Sequence, residues 1–127
     1  MAGLFASTGN RADAIKCRRQ TPHSGRLVDV LHACALVVDV RVPASHSLKE
    51  KRAVVRHIVD GARSRFTVAS AEVGHQDQWQ RSELGFAAVA GMHAHVVSVL
   101  ESVERFVWSS PEIEVISTTW TWLEPDR

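Results

Sequence analysis

The chain has 127 residues, 45% of them hydrophobic and 23% charged, with 15 Lys/Arg against 14 Asp/Glu. That composition fits a globular domain with a single core and excludes a coiled coil or a wholly disordered chain. No apolar run approaches the roughly 18 residues of a membrane span, and Gly3-Leu4-Phe5-Ala6 falls short of the signal-peptide core of about 7 to 15. Neither insertion nor export is expected, and the expected location is the cytoplasm.

Cys17 sits in a basic polar stretch and Cys34 inside an apolar run. A disulfide between such different contexts is not expected, in keeping with a reducing compartment.

Residues 1 to 30 hold five Lys/Arg against two Asp, and residues 31 to 127 hold ten against twelve. The first segment has no sustained period and contains a Thr-Pro-His-Ser-Gly cluster, so it reads as a flexible N-terminal extension or as a start assigned too far upstream. Its Arg11, Lys16, Arg18, Arg19 and Arg26 could form a basic arm for nucleic acid, or simply be solvated charges.

At His32 the pattern turns into strand alternation. Cys34, Leu36, Val38, Val40 and Val42 share one face, and Ala33, Ala35, Val37, Asp39 and Arg41 the other. Pro43 ends that strand. Ser47-Leu48-Lys49-Glu50 has the spacing of a capping box, so a helix should begin there. Leu48, Val55, Ile58, Val59 and Ala62 form its apolar stripe, and Lys49, Arg52, Arg56 and Arg63 a basic one.

Phe66 to His75 and Trp79 to Ala90 read as two strands of a β-hairpin turning at His75-Gln76-Asp77-Gln78. Val96, Leu100, Val103 and Val107 recur at four, three and four, marking a second amphipathic helix that Pro111 stops. Ile113 to Leu123 supplies a last strand, rich in β-branched and aromatic residues. The order is βαββαβ, an α+β ferredoxin-like domain over residues 31 to 123 with a short tail at 124 to 127. Right-handed crossovers put both helices on one face of a four-stranded antiparallel sheet.

The other sheet face then has no helical cover and carries Ala33, Ala35, Val37, Gly85, Ala87 and Val89. A second copy of the chain is the expected cover, with the N-terminal extension as the alternative lid. Base stacking of the RRM kind needs aromatic residues on that face and is not expected, because Phe86 has the parity of the core.

The densest polar cluster runs from Glu72 to Glu83. Glu72, His75, Asp77 and Glu83 are of the acid/base type, and Arg81 could hold an anion. The segment reads either as a ligand or weak metal site or as a hairpin turn with cross-strand pairs. His93 and His95, two apart on a helix, point in different directions and cannot clasp one metal. Trp108, Trp120 and Trp122 read as core or interface aromatics. Residues 45 to 65 hold six Lys/Arg against two acids and residues 101 to 127 two against six, so the molecule has a basic and an acidic end.

Ser47-Leu48-Lys49-Glu50-Lys51-Arg52, then Ala71-Glu72-Val73-Gly74-His75-Gln76-Asp77-Gln78-Trp79-Gln80-Arg81 and a Trp-containing end, resembles the bacterial YlxP-like family of unknown function. The resemblance spans about Leu31 to Leu123. It implies a ferredoxin-like fold and a genomic setting beside translation-initiation and ribosome-maturation genes, hence a ribosome- or RNA-associated role. The family's motifs fall on Ser47 to Arg52 and on Glu72, Asp77, Trp79, Gln80, Arg81 and Glu83. Residues before Leu31 depart from the family, whose members begin near the first strand.

The leading expectation is a non-enzymatic module that contacts the ribosome or a structured RNA through Lys49, Lys51, Arg52, Arg56, His75, Asp77, Trp79 and Arg81. A homo-oligomeric protein-interaction module is a second reading, and a small metal-dependent enzyme using Glu72, His75, Asp77 and Glu83 a third. No cofactor is expected.

Overall fold

The apolar side of the first strand determines how the layers stack. In the computed structural model, which describes residues 31–123, strand β1 (His32–Arg41) buries Cys34, Leu36, Val38 and Val40 on one side. Helix α1 (Leu48–Arg65) follows, then β2 (Ala69–Gly74), β3 (Arg81–Ala90), helix α2 (His93–Trp108) and β4 (Glu114–Trp122). The sheet order is β4-β1-β3-β2, with every neighbouring pair antiparallel. This is the ferredoxin-like arrangement. The predicted N-terminal extension, its basic arm, Cys17 and the tail lie outside the described residues.

Between sheet and helices lie Leu36, Val38, Leu84 and Phe86 from the strands, Val55, Ile58 and Ala62 from α1, and Val96, Leu100, Val103 and Val107 from α2. Fully burying such a side chain contributes about 1.5–3 kcal/mol, so this layer carries most of the driving force for folding. None of the described helices is long and apolar enough to cross a membrane.

Ser47 caps α1, its Oγ accepting from the Glu50 amide at 3.1 Å. The Glu50 carboxylate reaches back one residue further than the capping-box spacing predicts, to the His46 amide at 2.7 Å. The bounds of three strands also differ from the sequence reading. β2 starts at Ala69 and not at Phe66, because the Phe66 amide still donates to Ala62 O at 2.9 Å and closes the last turn of α1. β3 starts at Arg81 and not at Trp79, because Gln78 N donates to His75 O in the turn and the chain has yet to straighten. β4 gives up one residue at each end and spans Glu114–Trp122.

The uncovered sheet face has the composition expected of it. Ala33, Ala35 and Val37 face away from the helices, and Gly85, Ala87 and Val89 lie beside them on β3. Val73, at a bulge in β2, lies over Gly85, where an added Cβ would be 2.9 Å from its Cγ1. Phe86 is buried on the helix side. No aromatic platform forms on these two central strands.

Candidate functional site

The hairpin divides its polar residues between the two faces of the sheet. Glu72 points to the helix side. Its carboxylate accepts from Ser82 Oγ at 2.7 Å and pairs with Lys51 Nζ at 2.8 Å. Lys51 is fully buried, and its ammonium also donates to the carbonyls of His75, Gln76 and Arg81 at 2.8, 3.2 and 3.3 Å. Neither residue is free for a partner. This corrects the expected contact surface: Lys51 is a buried staple that fixes the hairpin turn to the first turn of α1, and Glu72 is its counter-ion.

The missed signal was in the spacing. Positions 48, 51, 55, 58 and 62 follow the three-four-three-four rhythm of the buried face, so Lys51 stands in the apolar stripe itself. A lysine there must find a buried counter-charge and acceptors, and the hairpin turn supplies both.

On the open face a second network forms. Arg81 donates from one terminal nitrogen to both oxygens of Asp39, at 3.1 and 2.8 Å. The same nitrogen lies 3.5 Å from His75 Nε2, which is 4.0 Å from Asp39 Oδ1. His75 occupies the left-handed region at φ 55°, and its Nδ1 meets the Gln78 amide at 3.2 Å. Glu83 stands directly opposite Asp39 in the β1–β3 register, and its carboxylate lies over Gly74, where any Cβ would collide with it.

Asp39, His75 and Glu83 each offer a ligand atom within 4.8 Å of the others, so these three could approach one cation. The guanidinium of Arg81 already sits on Asp39 and supplies positive charge there. Asp77, expected in the cluster, is instead exposed in the turn. Asp39 takes its place. An outward acid on a central strand gives no local signal in the sequence, and only the register against Glu83 brings it to the hairpin.

Beside this network runs a groove lined by Arg41, Gln78, Trp79, Gln80 and Arg81. Trp79 is 55% exposed. Gln80 ties its amide nitrogen to the carbonyls of Pro43 and Ser45 at 3.3 and 3.2 Å. Arg41 pairs with Glu114 at 3.3 Å with both side chains well exposed, so the pair is weak. The Arg81 Nε is buried and has no acceptor among the described residues.

On α1, Lys49, Arg52 and Arg56 are exposed. Both acids of the helix are engaged elsewhere, Glu50 at the cap and Asp60 with Arg63 at 3.0 Å. Among the described residues none of the three cations enters a salt bridge. Arg63, placed on the same stripe by sequence, donates to Ser70 O at 2.7 Å and so holds β2 to the helix end.

The aromatic and histidine expectations divide as well. Trp108 is exposed, whereas Trp120 and Trp122 pack half-buried against the core. His93 stacks on Trp122, ring centroids 4.2 Å apart and planes 13° apart, with His32 edge-on at 6.0 Å. His93 is exposed while its ring packs on Trp122.

A family model described as "Protein of unknown function (DUF503)" matches residues 34–120. The chain is also 42% identical over 76 residues to the "Uncharacterized protein YlxP" of Bacillus subtilis (strain 168), a match covering 60% of this chain and 83% of that protein. The matched segment runs from within β1 to within β4 and includes both the α1 stripe and the hairpin. The chain belongs to the DUF503 family.

Proposed function

We propose that this DUF503 protein is a non-enzymatic RNA-binding module of the cytoplasm, gripping phosphates of a structured RNA, such as that of the ribosome, with α1. One observation carries the reading: Lys49, Arg52 and Arg56 are exposed on one helix and have no acidic partner among the described residues. Cations held apart from local acids keep their charge available for phosphate. Of the carboxylates near the hairpin, by contrast, Glu72 is tied to Lys51 and Asp39 of β1 to Arg81.

Three phosphate contacts to duplex RNA, with the slope taken from B-form DNA, correspond to a loss of about 40-fold in affinity between roughly 50 and 200 mM salt. The test is co-sedimentation with ribosomes and anisotropy on ribosomal RNA fragments across that range. Binding that falls with salt and is abolished by Arg52→Glu with Arg56→Glu supports the reading. Absence of binding at low salt, or binding indifferent to those changes, overturns it.

A second reading concerns assembly, favoured by the uncharged Ala/Val surface of the open sheet face. Two copies stacked through it would shield Ala35, Val37, Ala87 and Val89 from water. Sedimentation equilibrium is expected to show a dimer that Ala87→Glu dissociates. A monomer at about 100 μM, well above the roughly micromolar dissociation constants of weak specific pairs, excludes it.

A further inference from the structure

We infer that the groove beside the hairpin accepts one unpaired nucleotide, its base against Trp79 and its phosphate between Arg41 and Arg81. This rests on the RNA reading and narrows it: the substrate is a folded RNA with a nucleotide outside its stems, and not a plain duplex.

Three features of the groove point the same way. Trp79 presents more than half of its surface to solvent at the mouth of the hairpin, where it lines the groove. An exposed indole face stacks any base, which makes it a platform tolerant of sequence. Next, Arg41 and Arg81 are direct cross-strand partners, a like-charge pairing that costs free energy in the free protein. Asp39 and Glu114 relieve it from the flanks, each bound to one arginine, and an anion between the two guanidiniums relieves it further.

The third feature is the buried Nε–H of Arg81, which lacks an acceptor among the described residues. That donor leaves a hydrogen bond unmade, which a ligand oxygen completes when the guanidinium turns toward the groove. Gln78 and Gln80 direct their amide nitrogens to His75 and to the carbonyls of Pro43 and Ser45. Their own carbonyl oxygens remain to accept from the N–H edges of a base.

The groove and the basic helix are mechanically one unit. Lys51 anchors the turn carrying His75 and Gln76 to α1, two residues from Lys49 and one from Arg52.

The experiment compares three RNAs of equal length by anisotropy: a stem with an unpaired loop, the same stem fully paired, and an unstructured single strand. Trp79→Ala is expected to weaken the looped RNA by roughly 5- to 150-fold, the range for loss of one stacked base, and to leave the paired stem unchanged. Trp79→Phe should keep most of the affinity. Arg52→Glu with Arg56→Glu should weaken the looped and paired RNAs together. Equal losses on looped and paired RNA with Trp79→Ala, or no loss on either, overturn the groove assignment while leaving the helix reading standing. If the wild-type protein binds none of the three, both fail. Because Trp79 is exposed, its replacement should leave the fold intact, and an unchanged circular dichroism melt verifies that each comparison is between folded proteins.

Discussion

Lys51 Nζ and Glu72 Oε2 lie 2.8 Å apart beneath the hairpin turn, with the lysine side chain wholly out of solvent and the glutamate 16% exposed. The ammonium has four oxygen neighbours: the carboxylate and three backbone carbonyls from His75, Gln76 and Arg81. Such a group stabilises the fold through complete satisfaction, and removing one member leaves the others buried without a partner.

Lys51→Met should therefore lower the unfolding free energy by about 3–5 kcal/mol, the range for breaking a buried pair. Against a total of about 5–15 kcal/mol for an ordinary domain, that brings the protein close to its threshold. Urea denaturation measures it. A loss below about 1 kcal/mol would show that water or rearrangement satisfies those oxygens, and that Lys51 is not the staple described.

The α1–α2 contact predicts a substitution whose two effects oppose each other. Gly61 faces the ring of Phe106, where an added Cβ would stand 2.8 Å from Cζ. Alanine in place of glycine in a helix interior gains about 1 kcal/mol of propensity. Overpacking against a ring edge costs about 1–3 kcal/mol, and Phe106 is confined by Phe66 at 5.9 Å and by Arg65 over its face at 4.9 Å. The clash should win. Gly61→Ala is expected to lower stability in thermal melts, and Gly61→Ala combined with Phe106→Leu to recover it. A stabilised single variant would mean that the ring moves freely.

Much of this fold could be read from side-chain periods, because those periods record burial directly. Cys34, Leu36, Val38, Val40 and Val42 are all buried, and so are Val96, Leu100, Val103 and Val107. What could not be read depends on register and on groups far apart in sequence. Asp39 joins the hairpin only through its pairing with Glu83, 44 positions on. Lys51 could have been recognised from its place in the apolar stripe, but its partners, three of them backbone carbonyls, carry no side-chain signal. Glu72 and Glu83 fall on opposite faces of the sheet because Glu72 pairs with Leu84, the neighbour of Glu83, while Glu83 pairs with Gly74 beyond the bulge. Sequence proximity alone merged them into one cluster.

The Asp39–Glu83 pairing gives a prediction with an unusual sign. Like charges directly opposite on neighbouring strands repel, and of these two carboxylates Arg81 pairs with Asp39. Glu83→Gln should therefore stabilise the domain, by about 0.2–1 kcal/mol at low ionic strength, and the gain should shrink as salt screens the repulsion. Urea midpoints at low and high salt test it. A loss of stability would show that Glu83 has a partner of its own.

Cys34 provides the pH-dependent case. It lies buried on the core face of β1, opposite Ala88 on one side and Trp122 on the other. Burial pushes its thiol above the usual range, and a backbone hydrogen bond at Thr121 only partly offsets this. In a Cys17→Ser background, where Cys34 is the remaining thiol, a disulfide reagent at pH 8 should modify the native protein no faster than it unfolds, and the urea-unfolded chain at once. The raised value also sets the sign of the linkage. Above the unfolded thiol's pKa of about 8.5, the unfolded chain releases a proton that the fold still holds, so stability falls as pH rises from there toward the folded value. The slope attributable to one thiol is at most about 1.4 kcal/mol per pH unit. Cys34→Ala should flatten the alkaline limb of the stability profile relative to Cys17→Ser alone. Parallel profiles for the two proteins would mean that the thiol titrates alike in both states, and that its burial in the sheet–helix layer is not maintained in solution.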